Sequence, residues 1–195
     1  MTVDQAINAA MDGIEAGRLS DAANICQQIL QAVPQEHRVI RLLGAVALKS
    51  GQLEQAATLF RQAITLAPGQ LEYCDNLCSA LVALQRWEEL EQAARHMLQL
   101  APQYARAENS LGLALKEQGR VAEAEAAFRR SISIEPRSMQ TLSNLGNLLR
   151  TLGRWSEAEQ ICRAAVTLAP NIAGVHLNLG AVLHEQQKHA AAIEA

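Results

Sequence analysis

The chain has 195 residues, with 17 basic and 20 acidic side chains, a formal net charge of -3 and only 3% aromatic residues. This balance, with no basic run, argues against nucleic acid or an anionic membrane as a partner. No apolar stretch approaches the ~20 residues of a membrane span, and the N-terminus lacks the charged start and apolar block of a signal peptide. We therefore expect a soluble, cytoplasmic chain.

The prolines set a regular period along the chain. All five are separated by 34 residues: Pro34, Pro68, Pro102, Pro136 and Pro170. A fixed period in this range is the signature of stacked structural repeats. Placing Pro at repeat position 32 divides the chain into the copies 3–36, 37–70, 71–104, 105–138, 139–172 and 173–195. One solenoid over residues 3–195 is predicted, rather than several globular domains.

Small residues recur at fixed repeat positions. Positions 7 and 8 are Leu-Gly in four copies, at Leu43-Gly44, Leu111-Gly112, Leu145-Gly146 and Leu179-Gly180. Position 20 is Ala in five copies, at Ala22, Ala56, Ala124, Ala158 and Ala192. With this spacing the chain resembles the tetratricopeptide repeat (TPR) family. The resemblance implies an all-α solenoid, in which antiparallel helix pairs stack as a right-handed superhelix and bind other proteins.

The first copy departs most from the repeat pattern, as expected of a terminal cap. Thr2 and Gln5 have the spacing of a capping box that opens the first helix. Gly17 marks the following turn, and Ser20 is predicted to cap the second helix. In the fifth copy, Ser156 and Glu159 have the spacing of a second capping box, which is predicted to open the second helix of that copy.

Each copy is predicted to fold as two helices, because apolar residues recur at spacings of three and four on either side of a turn. Position 15 of the turn requires a left-handed backbone, which glycine adopts without steric cost. It is glycine in four copies: Gly17, Gly51, Gly119 and Gly153. Gln85 and Gln187 depart from that rule. The pattern predicts eleven complete helices and a partial twelfth, which begins in the truncated sixth copy.

The small residues at positions 8 and 20 are expected to let the two helices of a copy approach closely. In the fifth copy, Gly146 is predicted to pack against Ala158, with Leu145 and Cys162 buried beside them. The third copy has the larger Cys78 and Leu90 at these positions. A wider crossing is therefore expected there.

The four cysteines are interpreted as buried small hydrophobic residues. Cys74 and Cys78 lie one helical turn apart on an inward face, whereas Cys26 and Cys162 are four copies apart. There is no CxxC motif and no pair of histidines at a spacing of three or four. Neither a metal site nor a cofactor is predicted.

The aromatic residues and the polar residues suggest no catalytic centre. Trp87 and Trp155 share position 17, where the family closes its turn, so Tyr73 and Tyr104 are left as candidate exposed aromatics. The sequence contains no glycine-rich phosphate loop, nucleophile with a base, or distinct carboxylate pair. The chain is therefore predicted not to be an enzyme.

The resemblance implies that the first helix of each pair lines a concave groove. Four of the groove residues form a charged patch: Arg38, Arg41, Asp75 and Arg106. At position 2, Arg38 is followed by Glu72 in the next copy. Because charges of opposite sign alternate between neighbouring copies, we expect them to pair with each other.

Further along, the predicted groove carries amides and hydroxyls: Asn76, Ser79, Asn109, Ser110, Ser143, Asn144, Asn147 and Asn178. A carboxamide both donates and accepts hydrogen bonds and so matches a peptide bond. Asn144 and Asn178 are similar to the asparagine ladder in the repeat arm of O-linked N-acetylglucosamine transferases, although Leu42 and Ser110 depart from it. Two interpretations stay open: an extended peptide bound across the third to sixth copies, or the general consensus asparagine of the family.

Three functions are compatible with these features. The first is a scaffold that binds a protein or an extended peptide, and the second is the substrate-recruiting arm of a larger glycosyltransferase- or sulfotransferase-type enzyme. The third is self-association as a homodimer through Leu179, Leu183 and Ile193. The short sixth copy leads us to expect further chain after Ala195. The residues of a carboxylate clamp are not found, so that mode of binding is not predicted.

Overall fold

The structure, a computed structural model, describes the backbone of residues 2–194 and the side chains of residues 2–187. Within this range the chain consists of α-helices joined by short turns, without a β-strand. The helices are α1 (Val3–Glu15), α2 (Leu19–Ala32), α3 (His37–Lys49), α4 (Leu53–Leu66), α5 (Leu71–Ala83), α6 (Trp87–Leu100), α7 (Ala105–Glu117), α8 (Val121–Ile134), α9 (Met139–Thr151), α10 (Trp155–Leu168) and α11 (Ala173–Glu194). The predicted all-α fold is confirmed.

The helices form two compact units, unit 1 (Met1–Leu100) and unit 2 (Ala101–Ala195). In unit 1, successive helices from α1 to α6 pack against each other, and the first helices of successive copies, α1, α3 and α5, are also in contact. Unit 2 repeats this arrangement, with α7, α9 and α11 as the first helices. Each unit therefore places the first helices of its copies side by side.

The turns inside the copies have the predicted left-handed backbone. Gly17, Gly51, Gly119 and Gly153 have φ angles between +70° and +77°. Gln85 adopts the same conformation in the third copy, with φ of 57°. The turn is thus imposed by the packing of the two helices, even where the sequence offers no glycine.

Replacing Gln85 by Gly is expected to stabilise the protein by about 1 kcal/mol, because a side chain in the left-handed region costs about 1 to 2 kcal/mol. Chemical denaturation measures the change. Ser50→Gly is the matched control, since Ser50 ends α3 with φ of -84° and should lose stability from added backbone freedom. Equal effects of the two changes would contradict strain at Gln85.

The glycine at position 8 faces position 24 of the partner helix. A Cβ atom built on Gly44 would lie 2.6 Å from the ring of Phe60, and one on Gly112 would lie 2.7 Å from the ring of Phe128. Both phenylalanines are fully buried. The missing side chain therefore makes room for an aromatic ring between the two helices.

The tightest contact of Gly146 is with Cys162 rather than with the predicted Ala158. A Cβ atom on Gly146 would lie 2.8 Å from the Sγ of Cys162 and 4.0 Å from the carbonyl oxygen of Ala158. Leu145, Ala158 and Cys162 are buried, as predicted. Position 20 lies opposite a different residue: a Cβ on Gly13, at position 11 of the first copy, would lie 3.3 Å from the Cβ of Ala22.

The sixth copy does not begin a second helix. α11 runs without a break from Ala173 to Glu194 and passes through Gln187, so the predicted partial twelfth helix is wrong. No glycine is present to turn the chain there, and the residues that follow Gln187 include Lys188 and three consecutive alanines, all good helix formers. The side chains of Ala192 and Ile193 lie outside the described residues.

The predicted helix caps are confirmed only at the first helix. Thr2 and Gln5 form the expected capping box. Ser20 and Ser156 do not cap, because each is the second residue of its helix, after Leu19 in α2 and Trp155 in α10. The left-handed turn places the helix start directly after position 16, so the N-cap residues are Arg18 and Arg154, without a side-chain cap bond.

Candidate functional site

Unit 2 carries six of the predicted groove residues on its three first helices. We call them the amide row: Asn109 and Ser110 on α7, Ser143, Asn144 and Asn147 on α9, and Asn178 on α11. Asn109 is buried and the others are half-buried. They occupy equivalent faces of helices that contact each other in sequence, α7 with α9 and α9 with α11.

One bond links two asparagines of the amide row. The Nδ2 of Asn144 donates to the Oδ1 of Asn109 at 2.9 Å, across the contact between α7 and α9. The bond uses one donor and one acceptor, and leaves the Oδ1 of Asn144 and the Nδ2 of Asn109 outside it. The pair therefore fixes the orientation of both amides and still offers an acceptor and a donor.

The other four members of the amide row have no side-chain hydrogen-bond partner among the described residues. Within the described part of unit 2, no side-chain hydrogen bond is made by Ser110, Ser143, Asn147 or Asn178. Buried polar groups in proteins are usually hydrogen-bonded, but half-buried ones can be satisfied by water or by a ligand. These side chains are available to a partner.

The two remaining polar groove residues lie in unit 1, on α5. Asn76 is half-buried, and its Nδ2 is shielded from solvent without a hydrogen-bond partner. The Ser79 hydroxyl instead donates to the backbone oxygen of Asp75 at 3.0 Å. Ser79 is thus occupied by its own helix, whereas Asn76 keeps an unused donor.

The charged patch pairs internally, as predicted for Arg41. Its NH1 lies 3.0 Å from the Oε1 of Glu72, in the following copy. Arg38 binds Asp4 of the preceding copy at 2.8 Å and also Glu36. Asp75 and Arg106 are not free either. The Arg38 guanidinium holds the pKa of Glu36 below its usual value, mainly through their hydrogen bond.

Tyr73 is buried, so its prediction as an exposed aromatic is wrong. Its hydroxyl lies 2.7 Å from the Nδ1 of His37, and the Arg41 guanidinium lies over its ring at 5.9 Å from the ring centre. Burial raises the pKa of Tyr73. Tyrosine at repeat position 3 packs between copies, where Val39 and Val175 stand in other copies and are also buried.

Arg129 on α8 and Arg154, the N-cap residue of α10, form an ion-pair network with two glutamates. Arg129 contacts both Glu125 and Glu157, and Arg154 contacts the same two carboxylates. Burial raises the pKa of Glu125, but the hydrogen bonds from the two arginines outweigh it and hold that pKa below its usual value. Positions 21 and 25 of one copy are thereby tied to positions 16 and 19 of the next, within unit 2.

A buried carboxylate inside the fourth copy was not predicted from the sequence. Arg130 on α8 binds Glu108 on α7 through two bonds, Nε to Oε1 at 2.8 Å and NH2 to Oε2 at 2.9 Å. The Glu108 side chain is only 8% exposed, whereas the Arg130 side chain is 52% exposed. The charged residue at inward-facing position 4, where Ile40 and Leu142 stand in the second and fifth copies, is the signal that was available.

Arg150, on α9, was also not predicted as a site residue. It is half-buried, its Nε is shielded from solvent, and that atom has no hydrogen-bond partner. No ion pair joins it to any side chain among residues 2–187. It follows Asn147 by three residues and Ser143 by seven, so the three share one face of the helix. Its place at repeat position 12 was the sequence signal.

The cysteines are buried free thiols, as the sequence indicated. Burial raises the pKa of Cys26 to about 11, and it also raises those of Cys74 and Cys162. A raised pKa leaves little of the reactive thiolate at neutral pH. Over the described residues, no cluster of three or more His, Cys, Asp or Glu side chains could hold a metal ion.

The outer face of α11 is open in unit 2. Leu177 is 72% exposed, the largest value among the exposed large apolar residues that the structure describes, and a Cβ on Gly180 would meet no described atom within 4 Å. Leu179 and Leu183, which were predicted to be uncovered, are half-buried. Ile193 lies outside the described side chains.

These observations can be compared with known proteins. Sequence profiles described as tetratricopeptide repeat match residues 79–138, 109–173 and 143–195, and a further one matches residues 14–81. The chain belongs to the tetratricopeptide repeat family. No curated protein shows significant sequence similarity to this TPR chain. None of the described helices is both long enough and apolar enough to cross a membrane.

Solved structures share the TPR fold at low sequence identity. A thermophilic TPR protein of Thermus thermophilus is 21% identical, with a TM-score of 0.76, covering 92% of this chain and 98% of that one. PilF of Pseudomonas aeruginosa is 19% identical, with a TM-score of 0.79, covering 96% and 87%. YrrB, described as a TPR protein with an unusual peptide-binding site, is 17% identical, with a TM-score of 0.69, covering 93% and 90%.

Proposed function

We propose that this TPR chain is a protein-interaction scaffold, and that its unit 2 binds an extended polypeptide through the amide row. The observation that carries the proposal is the bond between Asn144 and Asn109. It orients two carboxamides while leaving each with one unused group. The amide row also holds four polar side chains that make no side-chain hydrogen bond within the described part of unit 2.

The proposed contact is with the peptide backbone. A peptide bond presents one N–H donor and one carbonyl acceptor. The free Oδ1 of Asn144 accepts from the peptide N–H, and the free Nδ2 of Asn109 donates to the peptide carbonyl. Asn178 repeats the contact on α11. Because the amides contact the peptide backbone rather than its side chains, the site binds peptides of many sequences.

The affinity of this site for a peptide follows from the number of hydrogen bonds it makes. A neutral hydrogen bond contributes about 0.5 to 1.5 kcal/mol, so a few of them give weak, reversible capture. The peptide-binding site reported for YrrB supports peptide binding as a use of this fold. The same peptide binding would suit a free scaffold or the substrate-recruiting arm of a larger enzyme. The asparagine ladder of O-linked N-acetylglucosamine transferases, which Asn144 and Asn178 resemble, belongs to such an arm.

Replacing Asn144 and Asn178 together by Ala should weaken the capture of unstructured peptides roughly 5- to 100-fold, from the loss of about 1 to 3 kcal/mol of hydrogen bonding. Fluorescence anisotropy with a labelled peptide library measures it, and circular dichroism checks that helicity is retained. Asn24→Ala with Asn171→Ala is the matched control, because both of these asparagines are exposed and lie outside the amide row.

Two results would count against this site. If the double change in the amide row left binding intact, the row would be structural only. If binding were instead lost on altering Arg38 and Arg41, the site would move to the charged patch of unit 1 and the partner would be acidic.

Self-association is a second candidate function, favoured by the open outer face of α11. Leu177 is largely exposed beside Gly180, where no atom lies near. Two copies that present the same face can approach closely at glycine and cover both leucines in a two-fold contact.

Leu177→Lys is expected to shift a concentration-dependent dimer to monomer in sedimentation experiments, because a charge in an apolar contact must be desolvated. Met11→Lys is the control, since Met11 is an exposed apolar residue of unit 1 at 38% exposure. A wild-type protein that stays monomeric at high concentration would exclude this candidate.

A further inference from the structure

Arg150 differs from the arginines of the neighbouring second helices of unit 2. Those on α8 pair with carboxylates, Arg129 with Glu125 and Arg130 with Glu108. On α10, Arg163 pairs with Glu159. Arg150 has no ion pair among the described side chains, and its shielded Nε has no acceptor. A guanidinium has five N–H donors and stays charged at every physiological pH.

The position of Arg150 on its helix does not explain why its Nε lacks an acceptor. Arg150 lies in the last turn of α9, where the helix dipole favours a positive charge. The dipole explains a cation at this point but supplies no hydrogen-bond acceptor to a shielded N–H. Leaving such a donor unsatisfied is unfavourable, and the Cys162 thiol, on which Arg150 acts electrostatically, is only a weak acceptor. The guanidinium can therefore still bind an acceptor from outside the chain through its NH1 and NH2 groups, which are not shielded as Nε is.

Arg150 lies on the same face of α9 as two members of the amide row. Ser143, Asn147 and Arg150 lie on one face of α9 at spacings of four and three, which bring side chains together on a helix. A polypeptide held by the amide row passes this face on its way between Asn144 on α9 and Asn178 on α11. An acceptor group on that polypeptide would pair with the NH1 and NH2 groups of the half-buried guanidinium, since only its Nε is shielded.

We propose that Arg150 selects polypeptides that carry an aspartate or glutamate at the point where they cross α9. A carboxylate matches the guanidinium fork with two oxygens, and such charged bonds are about twice as strong as neutral ones. The carboxylate belongs to a side chain rather than to the peptide end, because the amide row continues beyond Arg150 to Asn178. This selectivity rests on the proposed peptide binding by unit 2.

The test uses two labelled peptides of Ala and Ser, blocked at both ends, that differ only in one central residue, Asp or Asn. The uniform flanks let the peptide slide until that residue meets Arg150. Wild-type protein should bind the Asp peptide roughly 10- to 100-fold tighter than its Asn twin in fluorescence anisotropy. The preference should decrease as salt is added.

Variants assign the preference to one side chain. Arg150→Gln should bind both peptides with the weak affinity of the Asn twin, and Arg150→Lys should keep only part of the preference, because lysine lacks the planar fork. Arg137→Gln is the control, since it removes an equal charge from an exposed loop position of unit 2. Circular dichroism verifies that each variant is folded.

The outcomes separate the two proposals. Equal binding of both peptides to wild-type protein, or a preference that survives Arg150→Gln, overturns the role of Arg150 and leaves peptide binding by the amide row standing. A preference that appears only when the peptide has a free C-terminal carboxylate also overturns it. Absence of binding by either peptide overturns both proposals.

Discussion

Arg130→Leu is expected to lower the free energy of unfolding by about 3 to 5 kcal/mol, because breaking a buried ion pair leaves an uncompensated charge. The charge left behind is Glu108, whose side chain is 8% exposed. The Arg130 side chain is 52% exposed, so water can solvate its charge when Glu108 is removed. Glu108→Gln should therefore cost clearly less than Arg130→Leu in urea denaturation.

The double change to Leu at both positions is the decisive control. Leu142 occupies the same repeat position as Glu108 in the following copy and is buried, so this site in the fold accepts an apolar side chain. Replacing a buried ion pair by packed hydrophobic residues is often neutral or stabilising. If the double variant were as unstable as Arg130→Leu alone, the loss would come from the arginine's own packing.

Gly112→Ala is expected to destabilise the protein by about 1 to 3 kcal/mol, the usual cost of overpacking a filled core. The new methyl group would lie 2.7 Å from the ring of Phe128, which is fully buried and has no room to retreat. Thermal denaturation measures the effect. Gly180→Ala is the matched control at the same repeat position, where no atom lies within 4 Å, and it should stabilise α11 by up to about 1 kcal/mol.

A second substitution tests the proposed cause. Phe128→Cys alone leaves a cavity, which costs several kcal/mol, of order 3. Combined with Gly112→Ala, it recreates the pair Ala10 and Cys26 that the first copy buries at these two positions. The double variant should therefore be more stable than the sum of the single effects predicts. Strict additivity would mean that positions 8 and 24 do not contact each other.

The sequence alone predicted the features that the repeat period determines. The left-handed turns at Gly17 and Gly153 and the burial of Cys162 follow from the position of each residue in its copy. Pairing between copies was also predicted, and Arg41 binds Glu72. These features depend on spacing and charge, which can be read directly from the chain.

Other predictions failed where side-chain size or a turn decides the outcome. Gly146 was assigned to Ala158 because both are small, yet a small residue in a tight interface packs against a larger one, here Cys162. The turn expected near Gln187 is absent, since the packing that imposes the turn at Gln85 involves a second helix. Tyr73 was treated as exposed because its packing partner, His37, lies in another copy.

For the candidate site, the period located the residues but not their bonding. It placed Asn109 and Asn144 on equivalent faces, whereas only the folded structure shows that they are bonded to each other. The unpaired state of Arg150 is likewise invisible in the sequence, because it depends on which carboxylates reach it. Arginine at position 12 would be interpreted as an ordinary surface charge.

The contact between positions 8 and 24 also limits how such a chain can be rearranged in evolution. Both residues belong to the same copy, so gain, loss or exchange of a whole copy carries the matched pair along. A crossover at the internal turn separates them. Joining α3 to α6 would set Gly44 opposite Ala94 and leave a void, whereas joining α5 to α8 would set Cys78 against Phe128 and produce a clash. We therefore expect recombination after the second helix of a copy to disturb the packing less than recombination at the glycine turn.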